Sequence, residues 1–222
     1  MATRPSPPQR ARERERELVR VTRALFDERG MQDAPVEEIA RAAGIARGLI
    51  YRSFSSKEEL FVLAVTDYLA ELAGALEAAT AGVADPIARL ERCTEAYAGY
   101  CLRFPAFLDA SMSLMRRPAR ELAETVSESV WLRLGQGMAR CLAHLSAALR
   151  AGAEAGVFAV EDPDYTANVL WTQGLGLMHF ARIRVGVRSV APGIPGLFAV
   201  EPERIVRTCV ESALANVRTE RG

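Results

Sequence analysis

The residues and motifs on which most catalytic sites depend are scarce in this chain. It has two histidines, His144 and His179, and both lie within helical patterns. The sequence contains no Gly-rich phosphate loop, no metal-spaced cluster of ligands and no nucleophile-elbow motif. These absences argue against an enzyme, and the sequence indicates neither a cofactor nor a metal.

Long apolar runs and a signal peptide are also missing. No apolar run approaches the ~18 residues of a membrane span, and residues 1–17 are polar. We therefore expect a cytoplasmic protein with no membrane partner. Because 50% of the residues are hydrophobic, the chain is able to bury a full core.

Cysteine is the third scarce residue type. The four cysteines, Cys93, Cys101, Cys141 and Cys209, form no C-x-x-C pair and fall in helical patterns. This placement predicts buried, reduced thiols that pack as small hydrophobes, with a metal site or a redox switch as the alternative.

Charge is balanced over the chain but unevenly distributed along it. Residues 1–57 contain 12 Arg or Lys and 8 Asp or Glu, a net charge of +4, and the rest of the chain carries −4. A basic N-terminal part is typical of a nucleic-acid-binding domain.

Two short helical patterns flank a glycine in residues 36–60, VEEIARAAGIARGLIYRSFSSKEEL. Pro35 suits a first helical position, and Gly44 suits the left-handed conformation that ends one helix and reverses the chain. The apolar residues recur at helical spacing, as Val36, Ile39, Ala40 and Ala43 and then as Leu49, Ile50 and Phe54. The pattern predicts a helix-turn-helix whose second helix enters a DNA major groove.

The outward side of the second helix carries residues suited to DNA. Arg47 is placed to reach a base edge, where a bidentate contact to guanine contributes roughly 1–3 kcal/mol of discrimination. Tyr51 and Arg52 suit phosphates, and Gly48 leaves room for the backbone to approach. Lys57, the only lysine, follows the candidate helix caps Ser55 and Ser56. The predicted DNA-binding residues are Ala46, Arg47, Gly48, Tyr51, Arg52 and Lys57, together with Arg10 and Arg12 near the N-terminus.

The N-terminal segment predicts a disordered tail over residues 1–9 and then a charged helix. Its expected i,i+3 ion pairs are Arg12 with Glu15, Glu13 with Arg16 and Arg14 with Glu17, its core positions are Leu18, Val21, Leu25 and Phe26, and Gly30 closes it. The first arginines, Arg10 and Arg12 among them, fit either a solvated helix end or an arm that reaches a phosphate or the minor groove.

Residues 30–60 resemble the DNA-binding signature of tetracycline-repressor (TetR) type regulators. The resemblance lies in Gly30, Val36, Ile39, Ala40, the AGI turn, Gly48, Tyr51, Phe54 and the SKEEL run. The segment departs from the family at Ala34, Pro35, Ala46 and Ser53, which removes phosphate contacts. The resemblance implies an N-terminal three-helix DNA-binding domain, a helical C-terminal domain that binds an effector and dimerises, and repression relieved by that effector. A dimeric ligand-binding or interaction protein with decayed DNA contacts is the alternative.

The rest of the chain predicts an all-α protein of about nine helices, with a helix-turn-helix domain over residues 10–56 and an effector-binding and dimerisation domain over residues 57–222. No strand is expected beyond Lys57, and Pro192 and Pro195 indicate a loop. The later helices are expected at 56–81, 86–103, 107–116, 118–156, 163–187 and 202–218.

Two partners besides DNA follow from these patterns. The last two helices offer enough apolar surface for a homodimer, although an ordinary intrachain core is the alternative; two-fold symmetry would place the recognition helices about 34 Å apart on a palindromic operator. Aromatic and sulfur-containing side chains predict a cavity for a hydrophobic small-molecule effector, with plain core packing as the alternative. The candidate ligand-binding residues are Tyr97, Tyr100, Cys101, Phe104, Phe107, Met112, Trp131, Trp171 and Met178.

Overall fold

A computed structural model describes residues 6–29 and 35–218 of the chain. In these two ranges it has ten helices and one two-stranded sheet. The elements are α1 (Pro7–Arg29), α2 (Val36–Ala42), α3 (Arg47–Ser53), α4 (Lys57–Thr80), α5 (Pro86–Arg103), α6 (Pro105–Met115), α7 (Ala119–Thr125), α8 (Glu128–Glu154), α9 (Pro163–Ile183), β1 (Val185–Ala191), β2 (Ile194–Ala199) and α10 (Pro202–Val217). The expectations for residues 1–5, Gly30 and Ala34 lie outside the described residues.

The chain forms two compact units. The first comprises the chain up to Leu69 together with Asp109–Gly137, and the second comprises Ala70–Leu108 together with Met138–Gly222. Helices α4, α6 and α8 therefore contribute residues to both units. The domain boundary after residue 56 stays a prediction.

Helix α1 starts inside the segment expected to be a tail. Ser6 and Gln9 form a reciprocal cap, because the Ser6 N–H donates to the Gln9 side chain (2.7 Å) and the Gln9 N–H donates to the Ser6 hydroxyl (3.4 Å). The expected pairing of the charged residues was wrong, since in the described chain Glu15 pairs with Arg133 (2.6 Å) and Glu17 with Arg20 (2.6 Å).

The core of the first unit forms where α1, α2, α3 and the start of α4 bury their apolar faces. The predicted α1 stripe of Leu18, Val21, Leu25 and Phe26 is buried, as are Ile39, Ile50 and Phe54. Polar contacts fix α4 on α1, because Arg23 pairs with Asp67 (2.7 Å) and the Tyr68 hydroxyl donates to Asp27 (2.6 Å). The three-helix arrangement predicted for the N-terminal part is confirmed.

The carboxylate of Glu59 joins three segments of the first unit. It accepts hydrogen bonds from the Ser55 N–H (2.6 Å) and hydroxyl (2.7 Å), just after α3, and from the N–H (3.3 Å) and hydroxyl of Ser127, just before α8. Ser56 caps α4 by accepting from the Glu59 N–H (3.0 Å) and donates to the Thr125 carbonyl (3.0 Å). Ser56 is thus the cap, and the ends of α3, α4, α7 and α8 are held together by short polar side chains.

The single helix expected over residues 118–156 is two helices, α7 and α8. Val126 between them is extended (φ −125°, ψ 158°). Ser127 then starts α8, since its carbonyl accepts from the N–H groups of Val130 (3.0 Å) and Trp131 (2.9 Å). The sequence signal for the break is a serine followed by Glu128, a typical helix start.

The second unit is built mainly from α5, α9 and α10. Asp85 caps α5 by accepting from the Ala88 N–H (2.8 Å), and Asp162 caps α9 by accepting from Asp164 and Tyr165 (3.0 Å each). Position 152 requires a glycine, because the Phe158 ring occupies the space of a side chain there. A Cβ at this position would lie 1.9 Å from the nearest carbon of the ring. No described helix is both long and apolar enough to cross a bilayer.

All four cysteines are buried, as expected, and none of them forms a disulfide bond. Burial raises the pKa of Cys93, Cys101 and Cys141 to about 12 and that of Cys209 to about 11. These thiols therefore stay protonated at neutral pH and behave as small apolar groups.

The expectation of no strand beyond Lys57 was wrong. Helix α9 ends at Ile183 rather than near Val187, because Arg184 adopts a left-handed conformation (φ 58°), and the chain then forms an antiparallel hairpin of β1 and β2. The sequence does contain the hairpin signal: Pro192-Gly193 lies between two runs of β-branched and apolar residues.

We predict that Glu59→Gln lowers the free energy of unfolding by about 2 kcal/mol at pH 7, because a buried carboxylate loses its charge-assisted hydrogen bonds. Burial alone would raise the pKa of Glu59, but the hydrogen bonds from Ser127 and Ser55 outweigh it and lower the pKa. A carboxyl with a lowered folded pKa stabilises the fold above its unfolded pKa of about 4.3, and this stabilisation is lost as pH falls through the folded value.

Urea unfolding at pH 7 and at acidic pH measures both effects. Glu58→Gln, one residue away and half-buried, is the matched control and should leave the free energy of unfolding nearly unchanged. An equal loss in the two variants would contradict the role given to Glu59.

Candidate nucleic-acid interface and ligand cavity

The turn between α2 and α3 is set by Gly44. Its φ is +64°, in the region that favours glycine, and the Ile45 N–H after it donates to the Ala40 carbonyl (3.0 Å). Ile39 and Ile50 are each 1% exposed and join the two helices through their apolar faces. Pro35 is the residue just before α2 rather than its first, so the expected helix start was one residue early.

The outward face of α3 carries the residues predicted to bind DNA. Ile50 alone is buried within Arg47–Ser53, and Leu49, expected to face inward, is half-buried. The structure places five of the predicted residues together on the exposed side: Ala46, Arg47, Gly48, Tyr51 and Arg52. A short helix fixed to the unit by one buried residue and the flanking Phe54 leaves most of its circumference available to a groove.

Arg47 is held by a neighbour that sequence reasoning missed. Its guanidinium pairs with the Glu37 carboxylate of α2 (2.7 Å) and lies 5.6 Å from the centre of the Tyr51 ring. Both side chains of the ion pair are at least half exposed. Glu37 and Arg47 are neither i,i+3 nor i,i+4 neighbours, so only the turn at Gly44 brings them together.

Two of the departures from the family signature, Ala46 and Ser53, lie at the two ends of α3. Ala46 precedes the helix in an extended conformation and offers no side-chain cap. The Ser53 hydroxyl donates to the Leu49 carbonyl of its own helix (2.9 Å). Neither residue therefore presents a free hydroxyl donor at this surface.

The remaining predicted DNA-binding residues lie on α1 and α4. Lys57 is the exposed first residue of α4 and, with Phe61 and Arg117, lines a surface cavity of about 260 Å³. Arg10 and Arg12 are exposed on the first turns of α1 and have no carboxylate partner in the described part of the chain. All three are free to meet a phosphate, but they are not part of the α3 face.

An apolar cavity of about 40 Å³ lies in the second unit. Helices α4, α5, α8, α9 and α10 all contribute to it. Its lining residues are Leu76, Cys93, Thr94, Tyr97, Cys141, Leu145, Leu170, Trp171, Gln173, Gly174, Leu177, Cys209, Ser212 and Ala213. The space holds no more than a few water molecules, so a larger molecule fits only if side chains or helices move.

Tyr97 is the unusual polar group of this cavity. The residue is 7% exposed, and its hydroxyl forms no hydrogen bond of normal geometry among the described residues, although the Cys101 thiol lies close enough to influence its pKa. Burial raises its pKa well above the ordinary value, so it stays neutral. Its ring packs 4.9 Å from that of Trp171 and against Gly174, where a Cβ would lie 2.9 Å from the ring. Such a buried, unpaired hydroxyl is an available hydrogen-bond donor or acceptor for a ligand.

Tyr97 and Trp171 are the two candidate ligand-binding residues that line this cavity. The other seven are not among its lining residues: Tyr100, Cys101, Phe104, Phe107, Met112, Trp131 and Met178. Tyr100 packs on Phe104 and Phe107 (ring centres 4.7 and 5.4 Å apart) as ordinary core of the second unit. Met112 and Trp131 are half-buried in the first unit. Sequence reasoning missed the smaller polar lining groups, Thr94, Gln173 and Ser212.

The apolar residues of the last two helices, α9 and α10, are mostly intrachain core, which is the alternative to the expected dimer surface. Leu170, Trp171, Leu175 and Met178 of α9 are buried in their own unit, as are Ile205, Cys209, Ala213 and Leu214 of α10. Gly174 makes room for Tyr97, whereas Gly176 is exposed with open space around it. A different side of α9 thus faces outward.

Residues 18–64 match the profile of the bacterial regulatory proteins of the tetR family. The matched segment contains most of α1, all of α2 and α3, and the start of α4. Residues 18–64 thus carry the DNA-binding segment typical of the TetR family. Members of this family are transcriptional regulators rather than enzymes.

The TetR assignment agrees with two further kinds of comparison. The repressor KstR2 of Rhodococcus jostii is 37% identical over 78 residues, which is 35% of this chain and 38% of that protein. The chain spans about two fifths of the length of the curated relatives that it matches. Among solved structures, the TetR regulator PfmR of Thermus thermophilus has a TM-score of 0.61 and 25% identity, covering 92% of this chain and 99% of that one. RolR in complex with resorcinol has a TM-score of 0.67 and 17% identity, covering 96% and 91%.

We predict opposite effects of the same methyl group at two glycines of this TetR surface. Neither Gly44 nor Gly48 has an atom within 4 Å of an added Cβ, so only the backbone decides. Gly44→Ala should lower the free energy of unfolding by about 1 kcal/mol, because its φ is left-handed. Gly48→Ala, within a helix, should raise it by about 0.5–1 kcal/mol. Urea titrations of the two variants give the signs, and a loss at both positions would sink the prediction.

Proposed function

We propose that this TetR family protein is a DNA-binding transcriptional repressor that binds a palindromic operator as a homodimer and is released by a hydrophobic small molecule. The observation that carries this proposal is the α3 face, on which Ala46, Arg47, Gly48, Tyr51 and Arg52 are all exposed. A helix with one buried residue and two exposed arginines suits a major groove, where base edges and phosphates are both within reach.

Arg47 is the residue proposed to contact a base, and its ion pair with Glu37 affects how easily it does so. In the free protein the guanidinium is paired at 2.7 Å, so binding to guanine requires this pair to open. An exposed ion pair contributes only ~0–1 kcal/mol, whereas a bidentate contact to guanine contributes roughly 1–3 kcal/mol. Exchange of the ion pair for a guanine contact is therefore favourable, and before DNA binds the ion pair holds the Arg47 side chain in place.

The outward side of α9 is proposed as the centre of the homodimer. No Asp, Glu, Lys or Arg occurs between Asp164 and Arg182, although only part of the helix surface is buried in its own unit. The exposed or half-buried residues form an uncharged stripe: Tyr165, Val169, Thr172, Gly176, Phe180 and Ile183. Gly176 would let a second copy of α9 approach closely, and the two-fold axis would make the operator palindromic.

The effector is proposed to be a small apolar molecule with one polar group. The wall of the 40 Å³ cavity is aliphatic, aromatic and sulfur-containing, and the Tyr97 hydroxyl is unpaired. A similar fold holds the aromatic diol resorcinol in RolR, which supports a ligand of this kind here. Ligand sites in proteins usually measure ~300–1,000 Å³, so binding must push the lining helices apart.

Helices α4 and α8 are proposed to carry this displacement to the DNA-binding helices. Leu76 of α4 and Cys141 and Leu145 of α8 line the cavity. The other ends of the same two helices meet at the Glu59 carboxylate, which also holds the end of α3 through Ser55. A ligand that prefers a different spacing of α4 and α8 shifts the population away from the DNA-binding state.

DNA binding is tested with the region upstream of the protein's own gene. Arg47→Ala should weaken binding about 5- to 150-fold, equivalent to roughly 1–3 kcal/mol, and Tyr51→Phe should weaken it less. Glu37→Gln should strengthen binding a few-fold, because Arg47 is then unpaired. In fluorescence anisotropy measurements, the logarithm of the affinity should fall linearly with the logarithm of the salt concentration.

Arg204→Ala on α10, which is exposed in the second unit, is the matched control and should bind DNA like the native protein. If no DNA selected from a random pool is bound at low salt, the result supports the alternative, a dimeric ligand-binding protein whose DNA contacts have decayed. Two residues favour this alternative: Ala46 offers no side-chain cap, and the Ser53 hydroxyl donates within its own helix.

Effector binding is tested by thermal shift with a panel of apolar compounds, matched in shape, with and without a hydroxyl or carbonyl group. We expect compounds with the polar group to raise the Tm and to weaken operator binding. Tyr97→Phe should lower their affinity about 2- to 10-fold, in line with ~0.5–1.5 kcal/mol for one hydrogen bond, and should leave hydrocarbon binding unchanged.

Thr166→Val removes a hydroxyl from a half-buried residue of α9 that belongs neither to the cavity lining nor to the proposed dimer stripe. It is the control and should change neither the affinity for polar compounds nor that for hydrocarbons. Stabilisation by charged metabolites but not by apolar compounds would overturn the proposed ligand class. A ligand that binds and leaves operator affinity unchanged would refute the coupling through α4 and α8 for that ligand.

A further inference from the structure

The hairpin of residues 185–199 carries large apolar side chains that its own chain does not cover. Val187 and Leu197 are paired across the strands and are 69% and 70% exposed. Val185, Val190 and Ile194 are between 42% and 57% exposed, and Phe198 is 38% exposed. Within this described hairpin Gly186 is the one buried residue. Both faces of the sheet are therefore apolar and open.

The hairpin is nevertheless built to hold a defined shape. Pro192 and Gly193 form its turn, with Gly193 at φ +76°, which suits a proline followed by a left-handed glycine. The Phe198 ring lies over Gly186, and Val190 lies over Gly196 at the point where the register shifts. At the base, the Val200 N–H donates to the Arg184 carbonyl (3.0 Å). These features all lie within residues 184–200 and define the shape of the hairpin.

Such a hairpin is unusual on a surface that meets water. Arg188 is its only charged residue, whereas 25% of the whole chain is charged. An isolated two-stranded hairpin is marginally stable in water, and contiguous exposed apolar patches of more than a few hundred Å² are rare on monomers and mark interaction sites. The hairpin therefore needs a partner surface that is itself apolar and uncharged.

We propose that the 185–199 hairpin is an arm that packs on a second copy of this chain and extends the dimer interface beyond α9. The uncharged stripe of α9 ends at Ile183, which is 52% exposed, and the hairpin begins two residues later. Along the chain, Arg184 alone separates the apolar residues of the helix from those of the hairpin. The outward residues of α10, in contrast, are charged: Glu203, Arg204, Arg207 and Glu211.

A second copy is the occupant that this surface fits. In a two-fold dimer the same patch meets its own symmetry mate or a neighbouring part of it, so an uncharged stripe supplies the uncharged partner surface that the hairpin requires. The inference rests on the proposed homodimer, but it adds a separate element: the arm, rather than α9 alone, sets the strength of association.

The test compares dimer dissociation constants by sedimentation equilibrium with the full chain. The double variant V187K/L197E places opposite charges on one exposed cross-strand pair, where they attract each other and keep the hairpin folded. Inside an apolar interface the same charges lose their water, and we expect the dissociation constant to rise at least tenfold. Circular dichroism should show unchanged helix content.

Two further variants make the result interpretable. A charge swap on α5, R92E/E95R, changes an exposed ion pair and should leave the dissociation constant unchanged. Arg184 and Val200 are hydrogen-bonded to each other at the base of the hairpin, so a short Gly-Ser linker is able to replace residues 185–199. This replacement should weaken the dimer like the double variant. In hydrogen exchange, the ladder amides of the native hairpin should be protected only at concentrations at which the dimer forms.

Gly176→Arg on α9 separates the two proposals. If it dissociates the dimer and both hairpin variants leave the dissociation constant unchanged, the arm is refuted and the α9 dimer stands. If the native chain is a monomer at high micromolar concentration, both fall. Flotation of such a monomer with phosphatidylglycerol vesicles, lost in the linker variant, would show that the hairpin binds a lipid surface instead.

Discussion

The Glu59 carboxylate is the interaction on which the rest of the arrangement depends. It is 6% exposed and is held by serine N–H and hydroxyl groups from both sides, one just after α3 and one just before α8. A buried charge without hydrogen bonds is strongly unfavourable, so all its donors must stay in place together. The recognition helix, the start of α4 and the start of α8 therefore form one linked set. A change in any of these helices has to be accommodated by the others.

Much of the helical architecture could be predicted because the relevant signals are local. The turn at Gly44, the helix starts at Pro86, Pro163 and Pro202 and the apolar stripe of α1 all follow from spacing along the chain. The exposed face of α3 follows in the same way, since a period of 3.6 residues places Tyr51 and Arg52 on a different side of the helix from the buried Ile50. These are properties of a helix, and they hold whatever lies around it.

The misses have the opposite origin. The hairpin was overlooked because apolar residues of β1 continue the pattern of α9, and only the backbone of Arg184 separates them. The Glu37–Arg47 pair depends on a turn that brings together residues ten apart. Seven candidate ligand residues are aromatic or sulfur-containing, but residues of these types also pack in the ordinary core, and a cavity arises from how five helices pack rather than from residue type. Tertiary packing, which no local pattern encodes, decided the ion pair and the cavity, whereas the hairpin had a local signal at Pro192-Gly193.

The distribution of charge on the surface has a consequence for the two associations proposed for this protein. The α3 face offers arginines and would release ions from DNA when it binds, so its affinity decreases as the ionic strength increases. The outward side of α9 has no ionised side chain over four turns, and its burial involves no such release. Added salt would thus detach an intact pair of subunits from the operator, and the unit that re-forms contacts with DNA would be the dimer rather than a monomer.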